Sequence, residues 1–439
     1  MMKTNSGADL WRKAKKIIPG GSQLLSKRSE QFLPDYWPSY YRKAQGAEVW
    51  DMDNTHFLDM SIMGIGACPL GYADPDVDGA VKARINDGSM CTLNSPEEVD
   101  LAEKLIDLHP WAEQVRYARG GGEAMTVAVR IARAHTKKDI VAFCGYHGWH
   151  DWYLAANLAD DKSLDGHLLP GLAPAGVPRG LTGTSIPFHY NHPGELEAIT
   201  EKHERKLAAI VMEPIRDHEP TPEFIRIVRD IARKNDAVLI IDEVSSGFRL
   251  KTGGAHSLYG LNPDIAVFAK AMSNGYPMAA IIGKEETMQS AQDTFISSTY
   301  WTEGIGPVAA LATIEKYERC NVPEHLVRIG NAVQSGWRHL AYEHGIELEI
   351  GGIPPLSHFS VKGENGPLVQ TLYTQLMLEQ GFLAGKSFYA CNAHTDSHVR
   401  RYLDASTDIF GQIAAAIDSG TIGEMLKGPI AKSGFLRLT

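Results

Sequence analysis

Apolar and polar positions follow two rhythms along this chain, and the switching between them predicts its architecture. Residues 140–143, 207–212, 237–241 and 265–269 are short, nearly continuous apolar runs, and 114–118 reads as a further strand. Runs of this length, bounded by turn signals, suit strands buried on both faces of a parallel sheet. Between them, 123–135 and 223–234 place apolar residues at helical spacing. Strand and helix patterns in alternation predict a doubly wound α/β sheet.

The flanks have a different pattern. Residues 8–18 form a short amphipathic helix stopped by Pro19-Gly20-Gly21. A hairpin-like stretch turns around Gly46 and again at Asp53-Asn54. A glycine-rich loop then leads to a helix from about Pro75, and a second helix opens near Ser95-Pro96-Glu97-Glu98 and ends at Pro110. The interval 157–190 is longer than a plain connector, as functional or flexible loops are. After Gly306-Pro307 a long helix is expected, and 320–439 mixes helices with short strands at 348–350 and 357–361. The expected division is a large sheet domain over 56–310 and a small α+β domain built from 1–55 and 311–439.

Composition narrows the function class. The 439 residues are 44% hydrophobic and 22% charged, which argues against disorder. A formal charge of −10 disfavours nucleic acid or an anionic membrane as the main partner. No run nears 18 apolar residues, and the first 21 residues lack the apolar core of a secretion signal, so a cytoplasmic location is expected. The five cysteines are dispersed without CxxC spacing, which suits free thiols in a reducing compartment.

Candidate chemistry gathers where the apolar runs stop. One run ends at Asp242 and another at Lys270. In parallel sheets the reacting groups collect at the carboxyl ends of strands. Singly, a lysine there is a solvated terminus and an Asp-Glu pair a helix cap. Together they are the acid and amine that pyridoxal phosphate requires: the amine joins its aldehyde, and the acid holds its ring nitrogen protonated. Gly120-Gly121-Gly122 opens a helix, where backbone N–H groups converge on an anion such as phosphate. The dinucleotide spacing GxGxxG is absent there, so a nicotinamide cofactor is not favoured. Tyr146 closes the next strand and either stacks on a flat ring or packs on its neighbours. His147 and His150 lack the carboxylates of a zinc motif, so no metal is expected.

These stretches resemble the class-III aminotransferases among the fold-type-I pyridoxal-phosphate enzymes, and within them the glutamate-1-semialdehyde 2,1-aminomutase group. The resemblance is carried by AEVWDMD, PLGYADPDV, GGGEAMTVAVRIARA, GYHGWHD, VMEPI, LIIDEVSSGFR, PDIAVFAKAMSNGYPMAAIIG and TEGIGPVAALATI. The separation of Asp242 from Lys270, 270 − 242 = 28 residues, is also that family's. The resemblance implies a large domain with a mostly parallel, seven-stranded type of sheet plus the small domain. It makes Lys270 the Schiff-base lysine and proton-moving base, and Asp242 the partner of the pyridine nitrogen. Val244 would pack on the ring face opposite Tyr146, Gly121 and Gly122 would offer phosphate N–H groups, and Glu213 would line the ring's oxygen side. Thr302 would reach the cofactor of a second subunit, which implies a homodimer.

The chain also departs from that pattern. The family's Ser-Gly-Thr or Ser-Gly-Ser is Gly120-Gly121-Gly122 here, so both hydroxyls are missing. Tyr72 stands where LGH is usual, and Ser273-Asn274-Gly275-Tyr276-Pro277 replaces a glycine-rich gating loop. The carboxylate-binding arginine falls near Lys27 or Arg28, with Arg119 and Arg249 as further basic candidates and Trp149 as a candidate pocket wall. The expected activity is transfer of an amino group between a small amino compound and a keto or aldehyde acceptor. The alternatives are an intramolecular aminomutase and, more poorly, a non-catalytic subunit of the same fold, against which the retention of Lys270 and Asp242 speaks.

Overall fold

A computed structural model describes residues 6–160, 162–165, 167, 171–432 and 434. The chain packs into two compact units, one of residues 1–74 with 324–439 and one of 75–323. The first opens with helix Ser6–Ile17, which buries Trp11 and Ala14. Strands β1 (Tyr41–Gln45), β2 (Glu48–Asp51) and β3 (His56–Asp59) then pair antiparallel in sequence. Gly46 and Asn54, at the two expected turns, both take positive φ, 60° and 59°.

The second unit holds strands β4 (Gln114–Ala118), β5 (Ile140–Cys144), β6 (Ser185–Pro187), β7 (Leu207–Met212), β8 (Val238–Asp242), β9 (Ile265–Phe268) and β10 (Ala279–Gly283). They form one seven-stranded sheet in the order β4-β10-β9-β8-β7-β5-β6. Pairs from β6 through β9 are parallel, and β10 runs antiparallel between β9 and β4. Every residue of β7, β8, β9 and β10 is buried, which is why these runs do not alternate in sequence. Helix Gly121–Thr136 buries Ala124, Met125, Ala128, Ile131 and Ala132 in the same core as β5 and β7–β10. Helix Pro222–Lys234 starts where Thr221 Oγ1 accepts the Phe224 N–H at 3.1 Å, with Pro222 at its first position.

Back in the first unit, β11 (Leu348–Gly351), β12 (Leu356–Val361) and β14 (Ser387–Tyr389) form an antiparallel sheet, while β13 (Phe382–Leu383) adds parallel to β3. The unit boundaries fall at 74/75 and 323/324, where the sequence pattern placed them at 55/56 and 310/311. Two features explain the difference. β3 is hydrogen-bonded between β2 and β13, so it belongs with the termini. Helix Ile305–Cys320 runs unbroken and packs on helix Pro75–Asn86, so no boundary can fall inside it.

Candidate active site

Parallel pairing of β8 with β9 sets Asp242 opposite Val267. Both strands therefore leave the sheet at the same edge, and Lys270 lies three residues beyond that register. Asp242 is only 4% exposed. Its Oδ1 accepts the Val244 N–H at 2.9 Å, and its Oδ2 stands 2.7 Å from His147 Nδ1. The other nitrogen of that wholly buried ring, Nε2, lies 3.1 Å from the Cys144 carbonyl. Both ring nitrogens therefore face oxygens, which fixes the imidazole against the Asp242 carboxyl group.

Lys270 takes a left-handed backbone, φ 44°, a conformation that costs a non-glycine residue free energy and collects at functional sites. Its Nζ donates to Ser245 Oγ at 2.8 Å. Burial lowers the amine to about 8, with the Arg249 guanidinium adding to the effect and Asp242 and Glu213 opposing it. The residue as a whole is only partly buried, although its amine is surrounded by protein. Arg249 is buried to 1% exposure and its Nε donates to the Ser245 carbonyl at 2.5 Å. Glu243 faces elsewhere: its Oε1 accepts from the His256 backbone N–H and lies against His256 Nδ1, both at 2.7 Å, which pins the loop after β8.

The lowered amine has a measurable consequence for the cofactor-free chain. The unfolded lysine titrates near 10.5 and the folded one near 8, so the unfolded state holds more protons between those values. Stability is therefore expected to rise with pH across that window, by roughly 3 kcal/mol from this group at its upper end. Denaturant midpoints of the cofactor-free protein and of Lys270→Met, compared from pH 7 to 10.5, test this. A difference between the two that stays flat with pH would contradict it.

The other expected residues of the second unit are placed as follows. Glu213 follows β7, is 6% exposed, and accepts the Tyr146 N–H at 3.3 Å. Burial raises its carboxyl, and Arg216, 3.4 Å away, pulls it back. Tyr146 and Val244 are both partly buried against the same core, with the Tyr146 ring edge-on to Tyr153 at 5.7 Å. A β-carbon at Gly121 would come within 2.7 Å of Val244 Cγ1, so the close approach requires glycine. Thr302 ends the turn Thr299–Thr302 and is exposed, its hydroxyl donating to the Thr299 carbonyl at 3.1 Å.

The basic and aromatic candidates separate. Arg119 is tied to Glu303 Oε1 at 2.8 Å and donates to the Trp301 and Glu303 carbonyls, both at 3.0 Å. That makes it a clamp on the turn carrying Thr302. Trp149 is 69% exposed and stacks on His150 at 4.2 Å. Lys27 and Arg28 belong to the first unit; Lys27 is exposed, and the Arg28 guanidinium lies over Gly20. Tyr72, also of the first unit, donates to Asp59 Oδ2 at 2.6 Å. Sequence reading missed His147 as the partner of Asp242 and Ser245 as the contact of Lys270. The HisGly pair after β5 was a signal for the first; nothing in the sequence announced the second.

The family model Aminotransferase class-III matches residues 34–352. The chain belongs to the class-III aminotransferases. It is 31% identical to the 3-aminobutyryl-CoA aminotransferase of Cloacimonas acidaminovorans over 94% of this chain and 98% of that one. It is 34% identical to the glutamate-1-semialdehyde 2,1-aminomutase of Dechloromonas aromatica, over 80% and 83%. The solved FumI protein of Sphingopyxis sp. MTA144 shares the fold, with a TM-score of 0.85, 24% identity and coverage of 95% and 98%. An omega-transaminase from Sphaerobacter thermophilus shares it too, with a TM-score of 0.82, 24% identity and coverage of 94% and 99%.

As a class-III aminotransferase the protein is an enzyme that uses pyridoxal 5'-phosphate, in a fold-type-I framework with a large, mostly parallel seven-stranded sheet. The residues present fit that group. A buried amine with a lowered pKa stands in the field of a buried carboxylate, and side-chain-free glycines open a helix whose first-turn N–H groups have no acceptor within the helix. No helix among the described residues is long and apolar enough to cross a membrane.

Proposed function

We propose that this enzyme moves an amino group from a small amino compound to a separate keto or aldehyde acceptor, with Lys270 attaching the cofactor and moving the proton. The observation that carries the reading is the Lys270 amine, lowered to about 8 and held in the field of buried Asp242 beyond two adjacent parallel strands. Bound pyridoxal phosphate supplies an aldehyde that joins amines and a protonated ring that takes up the electrons of a broken C–H bond. With the amine lowered to about 8, roughly a tenth of it is unprotonated at pH 7, far more than for a free lysine, which suits it first to attack a carbonyl and later to accept a proton. Asp242, backed by His147, would keep the ring nitrogen protonated. Val244 and Tyr146 would bracket the ring plane, Glu213 would face the ring's oxygen side, and the N–H groups of Gly121 and Gly122 would meet the phosphate.

Transfer between two molecules is favoured over the intramolecular aminomutase reaction by the loop after Lys270. Ser273 Oγ donates to the Tyr276 carbonyl at 2.6 Å, and the Tyr276 hydroxyl donates to Asp78 at 2.9 Å. These bonds anchor a segment that the aminomutases keep glycine-rich. The experiment presents purified enzyme with a panel of amines, including β-amino acids and 3-aminobutyryl-CoA, with and without a keto-acid acceptor. Product beyond one equivalent of enzyme is expected only with the acceptor. Sustained turnover of an aminoaldehyde without it would establish the mutase instead.

The active unit in this reading is a cytoplasmic homodimer. Exposed Thr302, on the turn clamped by Arg119, reaches the partner's cofactor, and the five free cysteines suit a reducing compartment. Trp149, exposed beside His150, contacts the substrate in this reading. Trp149→Ala is expected to raise KM for the preferred amine several-fold with little change in kcat, a split that steady-state kinetics would reveal. An unchanged KM would remove Trp149 from the pocket.

A further inference from the structure

The three glycines that open helix Gly121–Thr136 leave the phosphate end of the cofactor site without a side-chain hydroxyl. Backbone N–H groups and the helix dipole attract an anion there, but one or two donors supplied by side chains are missing. Something else occupies that space. A β-carbon built on Gly122 would lie 3.1 Å from His150 Nδ1 and 3.2 Å from its Cε1. The imidazole therefore stands where the side chain of a serine or threonine at 122 would project.

Two further observations give that ring a task. His150 Nδ1 is shielded from solvent and has no hydrogen-bond partner among the described residues. A buried polar atom left unpaired costs about 1–3 kcal/mol, which persists most readily where a ligand completes it. The ring is also held in place. Trp149 stacks on it with planes 22° apart, and Gly148 takes φ 105°. A β-carbon at Gly148 would come within 2.9 Å of Gly122 Cα, so the loop reaches the helix start only because both positions are glycine. Glu123, the nearest acid on the helix, has its Oε2 engaged by the N–H groups of Arg119 and Gly120 at 2.9 and 3.3 Å.

We propose that His150 donates a hydrogen bond from Nδ1 to the cofactor phosphate, replacing the hydroxyl that Gly122 cannot supply. This rests on the cofactor reading given above and adds a specific holder for one end of it. Burial favours the neutral ring, which has one N–H to give, and a phosphate oxygen can only accept.

The test is titration of the cofactor-free protein with pyridoxal 5'-phosphate and, separately, with pyridoxal, following the absorbance change on attachment to Lys270. His150→Ala is expected to weaken pyridoxal phosphate by about 10–100-fold, the range for one hydrogen bond to a charged group, while pyridoxal stays within about twofold. Adding Gly122→Thr to His150→Ala is expected to recover several-fold of the lost affinity, because the removed ring leaves room for the hydroxyl. Unchanged binding in His150→Ala, equal losses for both ligands, or no recovery in the double variant would overturn the assignment. Wild-type protein that takes up neither ligand would instead overturn the cofactor reading itself.

Discussion

Replacing Lys270 with alanine is expected to lower amino-transfer turnover by at least about a thousandfold. In the proposed reading the residue supplies both the attacking amine and the proton carrier, and a well-placed general base alone contributes about 10²–10⁴-fold. Its geometry is over-determined. The left-handed backbone at φ 44° follows the end of β9, and Nζ contacts Ser245 Oγ, whose carbonyl is gripped by Arg249. No other lysine is expected to take over. Single-turnover assays with saturating cofactor would measure the loss, and small primary amines added to the buffer should restore part of the rate. A variant within tenfold of wild type would remove Lys270 from the chemistry.

Asp242→Ala is expected to produce the second-largest effect, in both turnover and stability. The carboxylate is 4% exposed and lies 2.7 Å from the His147 ring nitrogen. Removing one member of a buried hydrogen-bonded pair leaves the other unpartnered, a loss of about 1–3 kcal/mol. Turnover should fall at least about a hundredfold, because in the proposed reading the ring nitrogen loses the acid that would keep it protonated. Adding His147→Ala should return part of the stability while leaving turnover low, since the stranded buried ring is gone but the acid is still missing. Denaturant midpoints and initial rates of the two single variants and the double variant separate these effects. A double variant no more stable than Asp242→Ala would mean that the two side chains are not energetically coupled.

Much of the framework was readable because burial on both faces of a sheet leaves a simple trace. The runs at 207–212, 237–241 and 265–269 are apolar throughout, and the observed strands match them to within one residue. Glycine at 121 was legible as a close approach to backbone, and the structure puts Val244 at the other side of that approach. The antiparallel strand Ala279–Gly283 was not assigned, since AAIIG has no feature that states its direction or its neighbours. The boundary between the units was misplaced for a related reason. Helical spacing shows that 305–320 is a helix, but not that it packs along 75–86.

The sequence by itself determined the strand and helix order, the acid and amine that close two apolar runs, and the membership in a family that uses them on one cofactor. Only the tertiary structure decided which distant groups meet: His147 with Asp242 across 95 positions, Arg249 beside Lys270, and the His150 ring in the space left by Gly122. The reason is physical. Local pattern reports what each segment buries, whereas contact between side chains depends on sheet order, register and loop approach, which many residues set together.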